Sequence, residues 1–175
     1  MFDFDTLITD RTEDDVAVLS ALLKKTLAAW TQEELAAFSG GAMKGGYGWA
    51  DLNRVTACME YLDEALRAIG YESGYRPVNI QRTQLLDPHT WYVSDVPTPG
   101  QMEQYLANVA SLRSVLALPE DSPRAPDSMA AFGVSQANDI ETILRLIEKA
   151  AQRMVRIINL GWVLGLADIG LYGGI

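Results

Sequence analysis

The chain has one cysteine, Cys58, and one histidine, His89, in 175 residues. A lone thiol closes no internal disulfide. One imidazole leaves no set of His and Cys ligands for a zinc site, and no second histidine for a His-based nucleophile and base pair. Bases are scarce as well. Fourteen Lys and Arg stand against 23 Asp and Glu, and a net charge of -9 repels phosphate and anionic lipid, so no nucleic-acid partner is expected. Long apolar runs are missing too. The most apolar stretch runs from Ile157 to Ala167 and breaks at Asp168, short of the ~20 residues that a membrane helix needs, so no membrane span is expected. Met1-Phe2-Asp3-Phe4-Asp5 carries acids where a secretory signal carries bases, and no signal peptide is expected.

What is present is the composition of a folded protein. At 49% hydrophobic and 21% charged residues the chain is neither a disordered tail nor a disulfide scaffold, and its length suits one domain.

Helical spacing dominates the pattern. Thr12 followed by Glu13, Asp14 and Asp15 is a capping sequence with acids in the first turn, and Val16, Leu19, Leu22, Leu23 and Leu27 follow as an apolar stripe. Thr31 and Glu34 cap a shorter helix that covers Leu35 and Phe38 and stops at Ser39-Gly40-Gly41, which makes a helical hairpin. Five glycines between positions 40 and 48 form a loop, to be fixed by packing of Met43, Tyr47 and Trp49. A long helix then places Leu52, Val55, Met59, Leu62, Leu66 and Ile69 at alternating steps of three and four, with Gly70 as its expected stop. A second follows Thr98-Pro99 with Met102, Tyr105, Val109, Leu112 and Leu116 in the same stepping. A third starts near Ser135 and carries Ile140, Ile143, Ile147, Ala150, Met154 and Ile157. Ala50-Asp51-Leu52-Asn53-Arg54-Val55 is faintly echoed in Asn138-Asp139-Ile140-Glu141-Thr142-Ile143, as shared helix-start chemistry would produce.

Between these helices residues 75–93 alternate, with Val78 and Ile80 against Asn79 and Gln81, and Trp91-Tyr92-Val93 is β-prone, so a small β element is expected there. The fold reading is mainly α: a single helical domain with an N-terminal hairpin and glycine-rich loop over 1–48, a three-helix bundle over 49–158, and an apolar glycine-rich tail over 159–175. An antiparallel bundle is preferred to an extended coiled coil, because each seam lasts only two to three heptads. Glycines at 161, 165, 170, 173 and 174 argue against helix in the tail, yet Trp162, Leu166, Ile169, Tyr172 and Ile175 are too apolar to stay in water. These five are the expected interaction residues, and a contact with another subunit is slightly preferred to an internal one.

No catalytic, metal-binding or cofactor-binding residue is expected. His89 stands in the turn-like Asp87-Pro88-His89-Thr90-Trp91 without a partner for nucleophilic chemistry, and Cys58 reads as a core thiol. Glu60, Asp63 and Glu64 fall within about a turn of one another, the spacing a carboxylate-dependent hydrolase or a hard cation would use, but Arg67 sits where a surface ion pair with Asp63 would form. The glycine pairs at 40–41 and 45–46 lack the Lys-Ser/Thr of a phosphate-binding loop. Arg145, Lys149, Arg153 and Arg156 form a basic stripe that suits the acidic N-terminal arm.

Several of these segments together resemble a known family. They are Met43-Lys44-Gly45-Gly46-Tyr47, Asp51-Leu52-Asn53-Arg54-Val55, Tyr61-Leu62, Gly70-Tyr71, Trp91, Asp95-Val96-Pro97-Thr98-Pro99, the run from Gln101 to Val109, and Ala137-Asn138-Asp139-Ile140-Glu141. In this order they resemble small, mostly uncharacterised proteins encoded by prophages of Gram-positive gut bacteria, typically among late tail and baseplate genes. Gly48 stands where those proteins tend to have Asn, and the Tyr172-Gly173-Gly174-Ile175 end lacks their usual acid. The resemblance supplies no catalytic residues. It implies a non-enzymatic structural or accessory protein that works through protein contacts in tail or baseplate assembly, as a homo-oligomer or with other tail proteins, in the host cytoplasm during assembly and then in the virion if it is retained there. The alternative from the residues alone is a small hydrolase acting on cell-wall or glycan substrates through Glu60 and Glu64; a helical DNA-binding regulator is disfavoured by the acidic balance.

Overall fold

The computed structural model describes residues 1–72 and 90–163, with the last turns of the first and third long helices, from 69 and from 157, described by their backbone alone. Five α-helices account for most of it: α1 (Glu13–Leu23), α2 (Gln32–Ser39), α3 (Trp49–Glu72), α4 (Pro99–Val115) and α5 (Val134–Val163). Short 3-10 turns occupy Phe4–Thr6, Leu27–Ala29 and Met129–Ala131.

Local chemistry sets where the helices start. Thr12, Thr31 and Thr98 each accept a hydrogen bond from the N–H three residues on, and the side chains of Asp15, Glu34 and Gln101 accept one from the cap's own N–H. Pro99 stands in the first turn of α4, where its missing N–H costs nothing. α3 and α5 start from glycine instead. The Asp51 Oδ2 accepts the Gly48 N–H at 2.9 Å, and the Gln136 Oε1 accepts the Gly133 N–H at 3.0 Å.

Two helix ends differ from expectation. α3 runs through Gly70 to Glu72 and α5 through Gly161 to Val163, since one glycine costs only about 1 kcal/mol against a long packed face. The helix therefore enters the first part of the 159–175 tail, and the remainder, 164–175, lies outside the described residues.

α3, α4 and α5 pack on one another around a core of Leu52, Val55, Met59 and Leu62 from α3, Tyr105, Val109 and Leu112 from α4, and Ile140, Ile143, Leu144 and Ile147 from α5. From Leu52 to Leu66 the α3 seam is buried as the spacing predicts. On α5 the buried positions are 137, 140, 144, 147 and 151, with 141 and 143 beside them, so the stripe is broader than the expected seam and half-buried Ala150 and Met154 fall at its edge. The N-terminal parts of α3 and α5 meet, because Arg11 and Arg54 each pair with both Asp51 and Glu141. These are the two echoing segments of the sequence, and the fold sets them face to face. The two helices thus start at the same end of the bundle, as the first and third members of an up-and-down three-helix bundle do.

The expected β element is not supported: among the described residues there is no strand. Val78 and Ile80 lie outside the described residues. At Trp91 the backbone that a strand would pair is taken by the Asn53 side chain, whose Oδ1 accepts the Trp91 N–H at 2.8 Å while its amide donates to the Trp91 carbonyl at 2.9 Å. The chain then turns, with the Asp95 carboxylate accepting the Tyr92 N–H and the Asp95 N–H donating to the Tyr92 carbonyl.

The hairpin packs less tightly. On α1 only Leu22 is buried, and α2 buries no residue; Leu23 and Leu27, expected on the inner stripe, are exposed because α1 ends at Leu23 and the chain turns away. Phe38 stacks edge-on against Trp30 at 5.2 Å yet stays exposed. Glycine is required where the loop touches its neighbours. Gly41 has φ of 66°, and a Cβ there would meet that of Ala50 at 2.2 Å; one on Gly45 would meet the Asp15 carbonyl oxygen at 2.1 Å.

Candidate functional site

The densest polar arrangement joins the N-terminal arm to the start of α3 and α5. Arg11 sits just before the Thr12 cap, and the fold buries it. One of its terminal nitrogens donates to Asp51 Oδ1 at 2.7 Å and to Glu141 Oε1 at 2.6 Å, and the other to the Ile8 carbonyl at 2.7 Å. Arg54, one turn after Asp51 on α3, reaches the same two carboxylates at 2.5 and 2.8 Å. The Glu141 Oε2 accepts the Ile8 N–H at 2.6 Å and the Arg54 Nε–H at 3.1 Å. Two guanidinium groups and two carboxylates therefore cancel in a site from which water is largely excluded. Every carboxylate oxygen has a donor, as a buried charge requires. Burial works against the Arg54 charge, but the hydrogen bonds and attraction of Glu141 and Asp51 outweigh it, and its affinity for the proton is raised.

The surroundings fix the same junction. The Asn138 side chain accepts the Arg11 N–H and donates to the Arg11 carbonyl, at 3.0 and 2.9 Å. Arg145 donates to the carbonyls of Phe4 and Leu7, so the first residue of the basic stripe meets the arm through its backbone rather than its acids. Phe4 packs edge-on against Tyr61 of α3 at 5.8 Å. The Arg11 guanidinium lies 5.3 Å from the centre of the Tyr47 ring, whose hydroxyl bonds that of Tyr105. Desolvation raises the proton affinity of both phenols well above the ordinary range. Chemically this is a clasp: its carboxylate oxygens are all engaged, while the Arg11 Nε is buried without a hydrogen-bond partner among the described residues.

Among the described residues, the hollows open to solvent include two set against the helices. One of about 480 Å³ lies under the 120–125 loop, where Arg113 is held by the carbonyls of Ser122 and Pro123. The other, about 230 Å³, lies between α1, the glycine-rich loop, the first turn of α3 and the 93–95 turn. Leu19, Phe38, Met43, Trp49 and Val93 line it, so its wall is mainly apolar. The same parts of the chain carry exposed apolar side chains: Val18, Leu23 and Leu27 on the hairpin side, Tyr92, Val93 and Val96 on the turn.

Of the residues singled out in the sequence, Cys58 is fully buried in the core, and desolvation pushes its thiol up to about 12. Asp63 is buried too and holds the Arg67 Nε–H at 3.0 Å, so that ion pair forms partly inside the protein rather than on its surface; Glu60 is half-buried and Glu64 exposed. Among the described residues no three His, Cys, Asp or Glu side chains are grouped to hold a metal ion, and no helix is long and apolar enough to cross a membrane. Trp162 falls on α5, where only the backbone is described; His89, Leu166, Ile169, Tyr172 and Ile175 lie outside the described residues.

Arg11, Arg54 and Glu141 were not singled out as a group by the sequence. The available signal was Glu141 itself, an acid set among Ile140, Ile143 and Leu144 on the buried face of α5. Comparison with known proteins adds no name to this geometry: no family model, no curated protein and no solved structure matches the chain.

Proposed function

We propose that the chain is a non-enzymatic protein-binding domain, and that it serves tail or baseplate assembly of a phage in the host cytoplasm, the role its resemblance to prophage proteins implies. One observation carries the protein-binding part. The hairpin and the 92–96 turn leave Val18, Leu23, Leu27, Tyr92, Val93 and Val96 exposed, and Leu19, Phe38 and Val93 from those same segments line an apolar hollow, while the charged groups of the clasp are enclosed. Apolar surface gathered at a groove on a soluble domain marks a site of protein contact. The hydrolase alternative draws no support from the carboxylates proposed for it, since Asp63 is engaged with Arg67 and neither described hollow is lined by Glu60 or Glu64.

The test is mass spectrometry of particles and assembly intermediates from the lysogen that encodes the chain. The protein is expected in one of the two fractions at a fixed ratio to the tail proteins. Absence from both overturns the phage-assembly reading.

A further inference from the structure

We infer that the apolar hollow between α1, the glycine-rich loop and the start of α3 receives the 164–175 segment of a second copy of this chain. The hollow and the segment match in chemistry. Leu19, Phe38, Met43, Trp49 and Val93 line the first; Leu164, Leu166, Ile169, Leu171, Tyr172 and Ile175 make up most of the second, which has Asp168 as its single charged side chain. Glycines at 165, 170, 173 and 174 leave gaps between those side chains, so a narrow groove can admit the backbone closely.

Reach selects a second copy over the same subunit. Asp51 is in the wall of the hollow and shares Arg11 and Arg54 with Glu141, so the hollow lies beside the beginning of α5. From Glu141 the helix continues to Val163, about 33 Å of helix at 1.5 Å per residue. The 164–175 segment spans at most about 40 Å when drawn out straight. Returning along its own helix, the segment spends nearly all of that length as a connector and delivers only its last residues to the hollow. From a neighbouring subunit the whole segment is free to bind. Such a contact joins different surfaces on the two copies, so two chains that exchange segments close a dimer, and chains that pass the segment onward build a ring or filament. The inference holds whether or not the foreign partner is a phage tail protein.

The experiment measures the mass of the full chain by light scattering at micromolar concentration, alone and with two substitutions. Val93→Arg places a charge in the hollow at a residue 61% exposed, where folding tolerates it. Ile169→Asp places one in the segment. Phe38→Glu is the second groove variant if the first changes the melting curve. The full chain is expected to be oligomeric. Each variant is expected to lose about tenfold or more in association constant, the size of one central contact, with an unchanged melting curve for the monomer. Mixing the two variants then restores one-to-one pairing, because one keeps an intact segment and the other an intact hollow. A monomeric full chain, an unchanged mass in both variants, or an Ile169→Asp monomer that melts lower without a change in stoichiometry overturns the inference; the last places the segment within its own subunit. None of these outcomes bears on whether the chain is found in phage particles.

Discussion

At the start of α3 and α5 charge is enclosed and apolar side chains are shut away, whereas along α1 and α2 apolar side chains stand in water and charge lies on the surface. Arg11, Asp51, Arg54 and Glu141 make one closed circuit with every acceptor used. The hairpin is held by exposed pairs, Lys25 with Glu34 and Lys44 with Asp10, and by two capping boxes. Exposed pairs of that kind are worth little each, while a buried circuit loses heavily when one member is removed. The difference marks one region as the part that specifies the fold and the other as the part free to meet a partner.

The comparison is broken most sharply at Glu141. Glu141→Ala leaves two guanidinium groups with a single carboxylate, Asp51, between them and removes the acceptor of the Ile8 N–H in a buried site, and is expected to cost ~3–5 kcal/mol in denaturant unfolding. Leu62→Ala, in the neighbouring core, is expected to cost ~2–5 kcal/mol. Leu23→Ala on the hairpin is expected to stay within about half a kilocalorie. A Leu23 loss as large as that of Leu62 shows that the hairpin is part of the cooperative core, and the contrast between the regions fails.

Much of this division is legible from spacing alone. The α3 seam, the three threonine caps and Pro99 follow from short-range chemistry, which the chain expresses within four residues. Three features escape it because they depend on residues far apart. Arg11 and Glu141 are 130 positions distant, and an acid on the apolar face of α5 shows no partner until the arm is laid over it. The β-prone Trp91-Tyr92-Val93 loses its pairing groups to Asn53, a side chain 38 residues away. The stripe of α1 predicts burial for Leu23 and Leu27, but burial needs a partner surface, and the described residues offer none to those two. For the tail the sequence supplies apolar content without a location; reach along α5 supplies the argument for a second copy.

Acid and alkali separate the two regions by different routes. The carboxyls of Asp10, Asp15 and Glu34 are held below their ordinary values, mainly by side-chain hydrogen bonds from Lys44, Thr12 and Lys25 respectively. Groups lowered on folding stabilise above their unfolded values, near 3.8 for Asp and 4.5 for Glu, and that contribution is lost as pH falls through the lower folded values. The Cys58 thiol moves the other way, from 9.0 to about 12, chiefly through desolvation. Its contribution is complete below pH 9 and is lost as pH rises toward 12, since the unfolded chain ionises first. Hydrogen exchange is therefore expected to show hairpin amides opening ahead of α3 and α5 in acid, while thiol alkylation at pH 9 follows global unfolding. Rapid alkylation of the native protein at that pH sinks the claim that Cys58 is sealed in the core.

The smallest expected effect lies where the two regions join. Gly48 caps α3, and a Cβ built there meets nothing within 4 Å. Its N–H is already taken by Asp51 Oδ2, so half of a capping box is in place and only the cap's own side chain is missing. Gly48 does not have a positive φ, so the backbone poses no barrier to a side chain. Asparagine there brings a side-chain oxygen able to accept from the free N–H groups of the first turn. Gly48→Asn is expected to raise stability by a few tenths of a kcal/mol, the measured difference between glycine and the better caps. Because Asp51 also holds Arg11 and Arg54 through Oδ1, a firmer α3 start is expected to stiffen the clasp as well. Denaturant midpoints for Gly48→Asn alone and together with Glu141→Ala read that coupling. Additive changes mean that the cap and the clasp act independently, whereas a stabilisation that vanishes in the Glu141→Ala background means that they share one folded unit.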